Sequence, residues 1–324
     1  MSWPISFEDV LAARERVRPF LTPTPLRSYA PLDDAVGHGI RLLVKHENHQ
    51  PTNSFKIRNA FSAMTALSVA ERERGVIAAT RGNHGLGLAY AGRILGIPVT
   101  VCVPRRNNPE KNEAMRGYGA ELIEEGADYD EAVTVADRIM RQRGLTLIHS
   151  TNNVHILAGA ATLAAELLEQ EPALDAIVLS LGGSSQVVGA LVVAATVRPA
   201  VRVHAVQASG ASAAYQSWRQ GHPVSTASAD TFADGIAVRS MSPLTFPVLR
   251  DALAGFVTVT EAELASAIRL ILRTTHNLVE GAAAAGLAGV RSLGAELEGQ
   301  RVAIVLSGGN IDERTLRRVV NEEI

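Results

Sequence analysis

The chain has 324 residues, of which 47% are hydrophobic and 20% are charged, and 31 basic against 33 acidic residues give a formal net charge of -2. This composition is ordinary for a globular protein with one large core or two domains, and the charge balance argues against a nucleic-acid partner or a polybasic membrane surface. The single cysteine, Cys102, excludes an internal disulfide framework and a cysteine-rich metal cluster.

The cellular location is inferred from what the chain lacks. Met1 to Pro4 shows no charged region followed by an apolar one, so it does not resemble a signal peptide. No apolar run reaches the roughly 18 residues of a membrane span. Cys102 lies in the apolar run Val99–Val103, where an inert core thiol is expected. We therefore expect a soluble, cytoplasmic protein without membrane contact.

Short runs of β-branched residues alternate with longer amphipathic stretches. This rhythm is typical of an α/β fold with mainly parallel sheets. Thr260 followed by Glu263 predicts a capping box at a helix start, whereas 220–242 has the weakest pattern and is predicted to be a long surface excursion. The predicted strands are 41–46, 76–80, 99–103, 121–124, 145–149, 175–180, 202–207, 255–259 and 302–306, and the predicted helices include 83–95, 109–118, 130–142, 155–170 and 261–275.

The first chemically informative segment surrounds Lys56. The preceding residues have turn composition, and Ser54 is a candidate N-cap, so Lys56 would lie in the first turn of a helix beside Arg58. The positive end of the helix dipole and the guanidinium both disfavour an ammonium ion there, which would lower the lysine pKa toward nucleophilic values. The alternative is a surface lysine beside a helix cap.

The second segment, Ala79–Gly85, joins a predicted strand to a predicted helix. Its two glycines allow the backbone to approach a ligand closely, and the N–H groups at a helix start suit a carboxylate or a phosphate. Thr80, Asn83 and His84 could add side-chain donors. Taken alone, the segment could equally be an ordinary strand–helix turn.

Two further glycine-containing segments follow later strands. Ser180–Gln186 could form a nest of backbone N–H groups for a phosphate, although it lacks the P-loop lysine and does not match the dinucleotide fingerprint. Leu306–Asp312 would place Ser307 at the carboxyl end of a strand, where ligands collect in open α/β sheets. Each of these segments could also be a tight turn without a ligand.

In this order, the four segments resemble the fold-type II pyridoxal-phosphate enzymes, which include threonine dehydratase, serine dehydratase, serine racemase and cysteine synthase. The resemblance spans nearly the whole chain. The lysine segment Ser54–Arg58, followed by the loop Gly82–Gly85, is specific to the threonine dehydratase and serine racemase branch. Further matching segments are 22–26, 111–121, 231–235 and 279–282.

The resemblance implies an architecture and an assembly. The fold would have two lobes with three-layer, open twisted sheets, as in the tryptophan synthase beta group. Residues 1–72 and 151–324 would form the large cofactor-binding domain, and residues 73–150 would form a small domain carrying the substrate loop. The cofactor would lie between the lobes, whose closure would exclude water. A homodimer and a small amino-acid substrate are implied as partners.

The resemblance also implies residue roles. Lys56 would hold pyridoxal 5'-phosphate as a Schiff base and then remove the substrate α-proton. Ser307 would meet the pyridine nitrogen, and a neutral hydroxyl there favours loss of a β-leaving group over transamination. Glu280 would lie near the ring, either supporting it indirectly or forming a structural ion pair. The remaining roles are Asn83 for the cofactor 3-oxygen; Gly182, Gly183, Ser184 and Ser185 for the phosphate; and Thr80, Arg81, Gly82, Asn83 and His84 for the substrate carboxylate.

Arg81 departs from the family pattern, because relatives usually carry serine or alanine at this position. An arginine stays protonated and cannot act as the second base of a racemase. It could instead pair bidentately with a carboxylate, which would suit an acidic substrate such as 3-hydroxyaspartate. The alternative is that Arg81 points outward and forms an ion pair within the protein.

Two other departures concern the phosphate loop and metal binding. Ser184 and Ser185 replace glycines, so the loop is expected to avoid positive φ at both. Gln207 and Ala213 stand where racemase-like relatives use carboxylates for a divalent cation, so no metal is expected there, although a monovalent ion on backbone carbonyls stays open. His46 and His49 lack accompanying zinc ligands and are interpreted as local structure.

The leading hypothesis is a pyridoxal-phosphate-dependent threonine/serine dehydratase, an ammonia-lyase that converts a 3-hydroxy amino acid to a 2-oxo acid and ammonia. A dehydratase for 3-hydroxyaspartate or a phenylserine-type substrate is the main alternative. A racemase, a β-replacement enzyme and a non-catalytic binding protein are less favoured. Because the chain ends soon after the Ser307 segment, the short type without a C-terminal regulatory domain is expected.

Overall fold

The computed structural model describes residues 3–324, and Met1 and Ser2 of the segment considered for a signal peptide lie outside the described residues. The larger sheet has six strands in the order β1-β2-β10-β7-β8-β9. The edge strand β1 is antiparallel to β2, and all other neighbours are parallel. Its strands are β1 (Leu26–Ser28), β2 (Arg41–Lys45), β7 (Ala176–Ser180), β8 (Arg202–Ala208), β9 (Gly255–Val259) and β10 (Arg301–Val305).

The smaller sheet has four parallel strands in the order β5-β4-β3-β6. All four come from one continuous stretch of the chain between the first and second parts of the larger sheet. They are β3 (Val76–Ala79), β4 (Val99–Val103), β5 (Glu121–Glu124) and β6 (Thr146–Leu147).

Helices connect the parallel strands, as crossover connections require. Their bounds are α1 (Phe7–Val17), α2 (Ala30–Val36), α3 (Lys56–Thr65), α4 (Val69–Arg74), α5 (Asn83–Leu95), α6 (Pro109–Gly117), α7 (Tyr129–Arg143), α8 (Val154–Gln170), α9 (Ser185–Val197), α10 (Ala213–Gln220), α11 (Phe246–Ala252), α12 (Glu261–Thr275), α13 (Gly281–Leu293) and α14 (Glu313–Val320).

Both faces of the larger sheet are covered by helices, which explains why its central strands are apolar without alternation. In β10, Val302 and Ile304 join a core with α12 and α13, whereas Ala303 and Val305 join a core with α8 and α9. The predicted three-layer α/β architecture with mainly parallel sheets is therefore confirmed.

Local predictions can be compared with the structure at several points. The capping box of Thr260 and Glu263 is present at the start of α12. Residues 221–245 contain only the short 3-10 helix Asp234–Ile236, as the weak pattern indicated. Cys102 is fully buried, and burial raises the pKa of its thiol to about 11. No helix among residues 3–324 is long and apolar enough to cross a bilayer.

Candidate active site

The four segments singled out in the sequence open onto one cavity of about 670 Å³. The cavity lies where the carboxyl ends of β3, β7 and β10 meet the start of α3, the position at which ligands bind in open α/β sheets. Every predicted site residue contributes to its lining: Lys56, Thr80, Arg81, Gly82, Asn83, His84, Gly182, Gly183, Ser184, Ser185, Glu280 and Ser307.

Lys56 is the first residue of α3, and its Nζ lies 3.3 Å from Ser185 Oγ. Ser54 is not the N-cap of this helix, but its Oγ accepts a hydrogen bond from the Lys56 backbone N at 3.3 Å. The Phe55 N–H donates to the carbonyl of Ser307 at 3.1 Å. The lysine and Ser307 segments are thus held together by backbone contact, although they are distant in the chain.

The pKa of Lys56 is lowered to about 8, as the sequence predicted, but the main cause differs from the one proposed. Burial disfavours the ammonium ion, and Glu280 only partly opposes this effect. Arg58 contributes little, because its guanidinium is paired with Glu47 and Glu166 inside the core. Lys56 therefore carries a neutral, nucleophilic amine at mildly alkaline pH.

The loop before α5 is organised by its own side chains. Thr80 Oγ1 accepts a hydrogen bond from the Gly82 N–H at 3.0 Å, and α5 begins at Asn83. Asn83 Nδ2 donates to Glu280 Oε1 at 2.6 Å, and its Oδ1 accepts from Asn310 Nδ2 at 2.8 Å. The amide of Asn83 retains one further N–H, so a hydrogen bond to a ligand oxygen remains available.

The His84 side chain binds a backbone carbonyl, whereas the sequence suggested that it could donate to a ligand. Its ring is buried, Nε2 lies 2.9 Å from the carbonyl of Ile148, and burial lowers its pKa to about 3. A neutral ring that donates through Nε2 has only an acceptor at Nδ1. The side chain therefore offers no donor to a carboxylate, and any contribution of His84 to anion binding comes from its backbone N–H.

Glu280 is buried beside Asn83 and carries a perturbed carboxyl group. Burial raises its pKa to about 7, which outweighs the opposing effects of Lys111, Asn83 and Lys56. Its Oε2 is buried without a hydrogen-bond partner in the described residues, and no cation there lies within salt-bridge distance. Glu280 is thus a carboxyl that holds a proton into the neutral range rather than half of an ion pair.

The loop after β7 presents backbone N–H groups at the start of the 13-residue helix α9. Ser184 has φ 70°, so the expectation that both serines avoid positive φ is wrong for Ser184. The left-handed backbone is supported by the Ser184 hydroxyl, which lies 2.7 Å from Thr245 Oγ1. The hydroxyl of Ser184 is thus bound within the protein, whereas the hydroxyl of Ser185 lies toward Lys56.

Arg81 is exposed at the mouth of the cavity. Within residues 3–324, no carboxylate lies within salt-bridge distance of its guanidinium. The alternative that Arg81 forms an ion pair within the protein therefore has no support in the structure. The guanidinium of Arg81 is therefore an unpaired positive charge in the described protein, and it lies beside the loop that is expected to bind a carboxylate.

The predicted absence of a metal at Gln207 stays a prediction, but the structure shows what this side chain does. Gln207 Oε1 accepts hydrogen bonds from the backbone N–H groups of Ala214 and Tyr215, both at 3.1 Å, at the start of α10. Among the described residues, no group of three His, Cys, Asp or Glu side chains is arranged to hold a metal ion. His46 and His49 stack on each other, with ring centroids 4.8 Å apart.

Lys111, Asp234 and Asn310 are site residues whose individual roles the sequence did not reveal. Each lies in a segment that contributed to the family resemblance, yet their partners lie far away in the chain. Lys111 Nζ bonds Asp234 Oδ2 at 2.6 Å across 123 residues, and Asn310 bonds Asn83 across 227 residues. The only signal in the sequence was the membership of these residues in the matching segments, which does not indicate how they pair.

Together these features have the chemistry that suits a phosphorylated aldehyde: a buried amine of lowered pKa, a loop of small residues at a helix start, and a polar wall between them. The model of the family "Pyridoxal-phosphate dependent enzyme" matches residues 17–308. The chain belongs to this family, and pyridoxal phosphate is its cofactor.

The comparisons with individual proteins agree with this assignment. The chain is 37% identical over 318 residues to an L-threonine ammonia-lyase of Thermotoga maritima, covering 98% of this chain and 79% of that protein. It is 34% identical over 307 residues to an L-threo-3-hydroxyaspartate ammonia-lyase of a Pseudomonas species, covering 95% and 96%. The solved structure of maize serine racemase matches with a TM-score of 0.92 at 29% identity, covering 99% of this chain and 98% of that one. The chain is thus related to pyridoxal-phosphate-dependent lyases, as predicted.

Proposed function

We propose that this protein is a dehydratase that converts L-threonine or L-serine to the corresponding 2-oxo acid and ammonia. The observation that carries this proposal is the position of Lys56 Nζ, which lies in the cavity between the phosphate-type loop and the Thr80–Asn83 loop. The names of the relatives, threonine and 3-hydroxyaspartate ammonia-lyases, support the same reaction type.

The residues present fit the cofactor. Lys56 would hold it covalently, the N–H groups of Gly182–Ser185 would hold its phosphate, and Ser307 would meet the ring nitrogen. The second N–H of Asn83 would reach the ring oxygen. When bound, pyridoxal phosphate supplies an electron-withdrawing ring that stabilises negative charge at the substrate α-carbon.

Lys56 would move the proton in this reaction. Once a substrate amine has replaced Lys56 on the cofactor, the released lysine amine, which burial keeps neutral, would take the α-proton of the substrate, and it would bind the cofactor again after the product leaves. The Ser185 hydroxyl at 3.3 Å holds the Nζ toward the cavity. No second base is found at residue 81, because an arginine does not release its proton at neutral pH, so elimination is favoured over racemisation.

The substrate carboxylate would bind at the start of α5. Asn83 and His84 open the 13-residue helix α5, so their backbone N–H groups would be the donors for the carboxylate, and the helix dipole favours an anion there. Thr80 shapes this loop through its bond to the Gly82 N–H and can also donate its hydroxyl proton. These contacts would orient the α-C–H bond toward Lys56.

A second candidate substrate class is acidic 3-hydroxy amino acids, above all 3-hydroxyaspartate. The observation that favours it is the unpartnered guanidinium of Arg81 at the cavity mouth. A side-chain carboxylate could form a bidentate pair with Arg81, and this contact would be absent with threonine or phenylserine. Arg81 is therefore the residue that distinguishes the two candidates.

The assembly and location follow as further proposals. Residues 73–150 would form a small domain that closes on the large domain, 1–72 and 151–324, and excludes water from the cavity. The continuous origin of the smaller sheet supports these boundaries. We infer a homodimer from the family resemblance, and the cytoplasm is the proposed location.

The experiment is a comparison of substrates with purified holoenzyme. Formation of 2-oxo acid is measured with threonine, serine, 3-hydroxyaspartate and phenylserine, for the unchanged protein and for Arg81→Ser. Threonine or serine turnover that is lost together with the visible absorption band in Lys56→Ala supports the main proposal. Preference for 3-hydroxyaspartate that disappears in Arg81→Ser supports the second candidate, and absence of any 2-oxo acid refutes both.

A further inference from the structure

Lys111 is a buried lysine of α6 that contacts the substrate loop directly. Only 6% of the surface of Lys111 is exposed to solvent. If Gly82 carried a Cβ, that atom would lie 2.6 Å from Lys111 Cδ and 3.3 Å from Nζ. The aliphatic part of Lys111 therefore packs on the backbone of the Thr80–Asn83 loop, and a side chain at position 82 would push the lysine chain aside.

The ammonium group of Lys111 ends on the other side of the cavity. Nζ bonds Asp234 Oδ2 at 2.6 Å, and Asp234 begins the 3-10 helix Asp234–Ile236. Lys111 belongs to the part of the chain that builds the smaller sheet, whereas Asp234 follows β8 of the larger sheet. This ion pair thus connects the two sheets at the cavity.

The turn that contains Asp234 also touches the phosphate-type loop. A Cβ on Gly182 would lie 2.1 Å from the carbonyl oxygen of Gly235, which leaves no room for a side chain. A continuous path of contacts therefore runs from Gly82 through Lys111, Asp234 and Gly235 to Gly182. It joins the loop for the substrate carboxylate to the loop for the cofactor phosphate.

The pair is costly to bury, so its position matters more than its contribution to stability. The Lys111 side chain is 7% exposed and that of Asp234 is 34% exposed, so the lysine loses most of its hydration and the pair gains little over well-packed apolar side chains. Burial by itself would lower the pKa of Lys111, but the nearby carboxyl groups, above all that of Asp234, outweigh it and raise the pKa, so the lysine remains charged. A permanently charged lysine with a directed partner fixes the distance between the two loops.

We propose that Lys111 and Asp234 are positioning residues that hold the substrate-carboxylate loop at a fixed distance from the cofactor-phosphate loop. The proposal rests on the proposed function, since it assigns the Thr80–Asn83 loop to the substrate. Loss of the pair should let the loop move away from Lys56, so that the substrate amino acid binds more weakly while the bound substrate still reacts.

The experiment compares holoenzymes in which the pair is removed, retained or reversed. Lys111→Met and Asp234→Asn should each raise KM about tenfold or more, with a smaller fall in kcat, because ground-state positioning is lost. Lys111→Arg should restore much of the affinity. The reversed pair, Lys111→Asp with Asp234→Lys, should bind substrate better than either single charge change.

The matched control lies in the same helix. Glu110 accepts a hydrogen bond from the Glu313 backbone N–H at 3.2 Å, an exposed contact that also links α6 to the larger part of the chain. Glu110→Ala should leave KM nearly unchanged. Equal KM values for Glu110→Ala and Lys111→Met, or a fall in thermal stability of the Lys111 variant without any KM change, would overturn the proposal.

Two further measurements separate this proposal from the reaction assignment. The first is a spectral titration of the holoenzyme with alanine, which has no β-leaving group, so it measures amino-acid affinity without dehydration. If Lys111→Met does not fold, Asp234→Asn is used for the same measurement. The Kd of the apoprotein for pyridoxal phosphate should rise only a fewfold. Weaker alanine binding in an enzyme that dehydrates nothing would support the positioning role and refute the proposed function, whereas unchanged alanine binding would refute the role alone.

Discussion

Helix α8 carries two glutamates that each pair with an arginine from elsewhere but differ in burial. Glu166 forms hydrogen bonds to Arg58 at 3.0 and 3.1 Å and also contacts Lys45, and its side chain is 12% exposed. Glu169 bonds Arg14 through two contacts, one of 2.7 Å, and its side chain is 56% exposed. The two residues lie on one helix, so substitution of each by glutamine isolates the effect of burial.

The expected difference can be worked out from the charges. The buried cluster contains Lys45, Arg58, Glu47 and Glu166, whose formal charges cancel. Glu166→Gln keeps the shape of the side chain but leaves one uncompensated positive charge, which should cost about 3–5 kcal/mol. Glu169→Gln removes an exposed pair and should cost about 0.2–1 kcal/mol.

The assay is urea unfolding of both variants at the same saturating cofactor concentration, so that bound cofactor contributes equally. The midpoint of Glu166→Gln should fall by about 1–1.7 M if the m value is about 3 kcal/mol/M. A double variant, Lys45→Met with Glu166→Leu, leaves the Arg58–Glu47 pair intact and should be less destabilised than Glu166→Gln. Equal midpoints for the two single variants would show that the buried charges are not coupled as described.

Three further predictions address the cofactor and the metal. The rate at which the apoprotein gains absorbance with added pyridoxal phosphate should rise with pH, because only the neutral amine reacts. The midpoint of this rise should lie near the Lys56 pKa of about 8, and a midpoint near 10 would contradict the lowered pKa. Gly182→Ala should weaken cofactor binding by about tenfold or more in fluorescence titrations, since its Cβ would collide with Gly235, whereas Gly117→Ala, which has open space, should not. Removal of divalent cations with a chelator should leave activity unchanged, because Gln207 uses its amide oxygen to cap α10; a loss restored by Mg²⁺ would show that this account of Gln207 is wrong.

The strands and the loops that follow them were predictable because their signals are local. Apolar runs define β4 and β9 at their observed bounds, and glycine pairs mark where the chain turns toward a ligand. The contacts that join these loops were not predictable from pattern alone. Asn83 and Glu280 are 197 residues apart, and nothing in either segment indicates that one will bond the other.

The backbone conformation of Ser184 and the orientation of the His84 ring also could not be predicted from the sequence. Ser184 was expected to avoid positive φ, because the penalty for a side chain there is local, but Thr245 supports it from 61 residues away. His84 offered two nitrogens to a ligand until the carbonyl of Ile148 determined which one donates. In both cases a distant partner overrides a local preference.

Charges are the most misleading of the local signals, as Lys56 and Arg58 illustrate. A guanidinium two residues away suggested direct repulsion of the ammonium, yet Glu47 and Glu166 neutralise Arg58 within its own cluster. The pKa of Lys56 falls because the cavity walls remove water from the amine, an effect that depends on the whole fold. A sequence shows each charge but not its partner. It can therefore predict that the pKa of a lysine is shifted, but it is a poor guide to the cause of the shift. The same reasoning applies to Arg81. Its guanidinium has no carboxylate partner among the described residues, so the proposed partner is the carboxylate of a bound substrate.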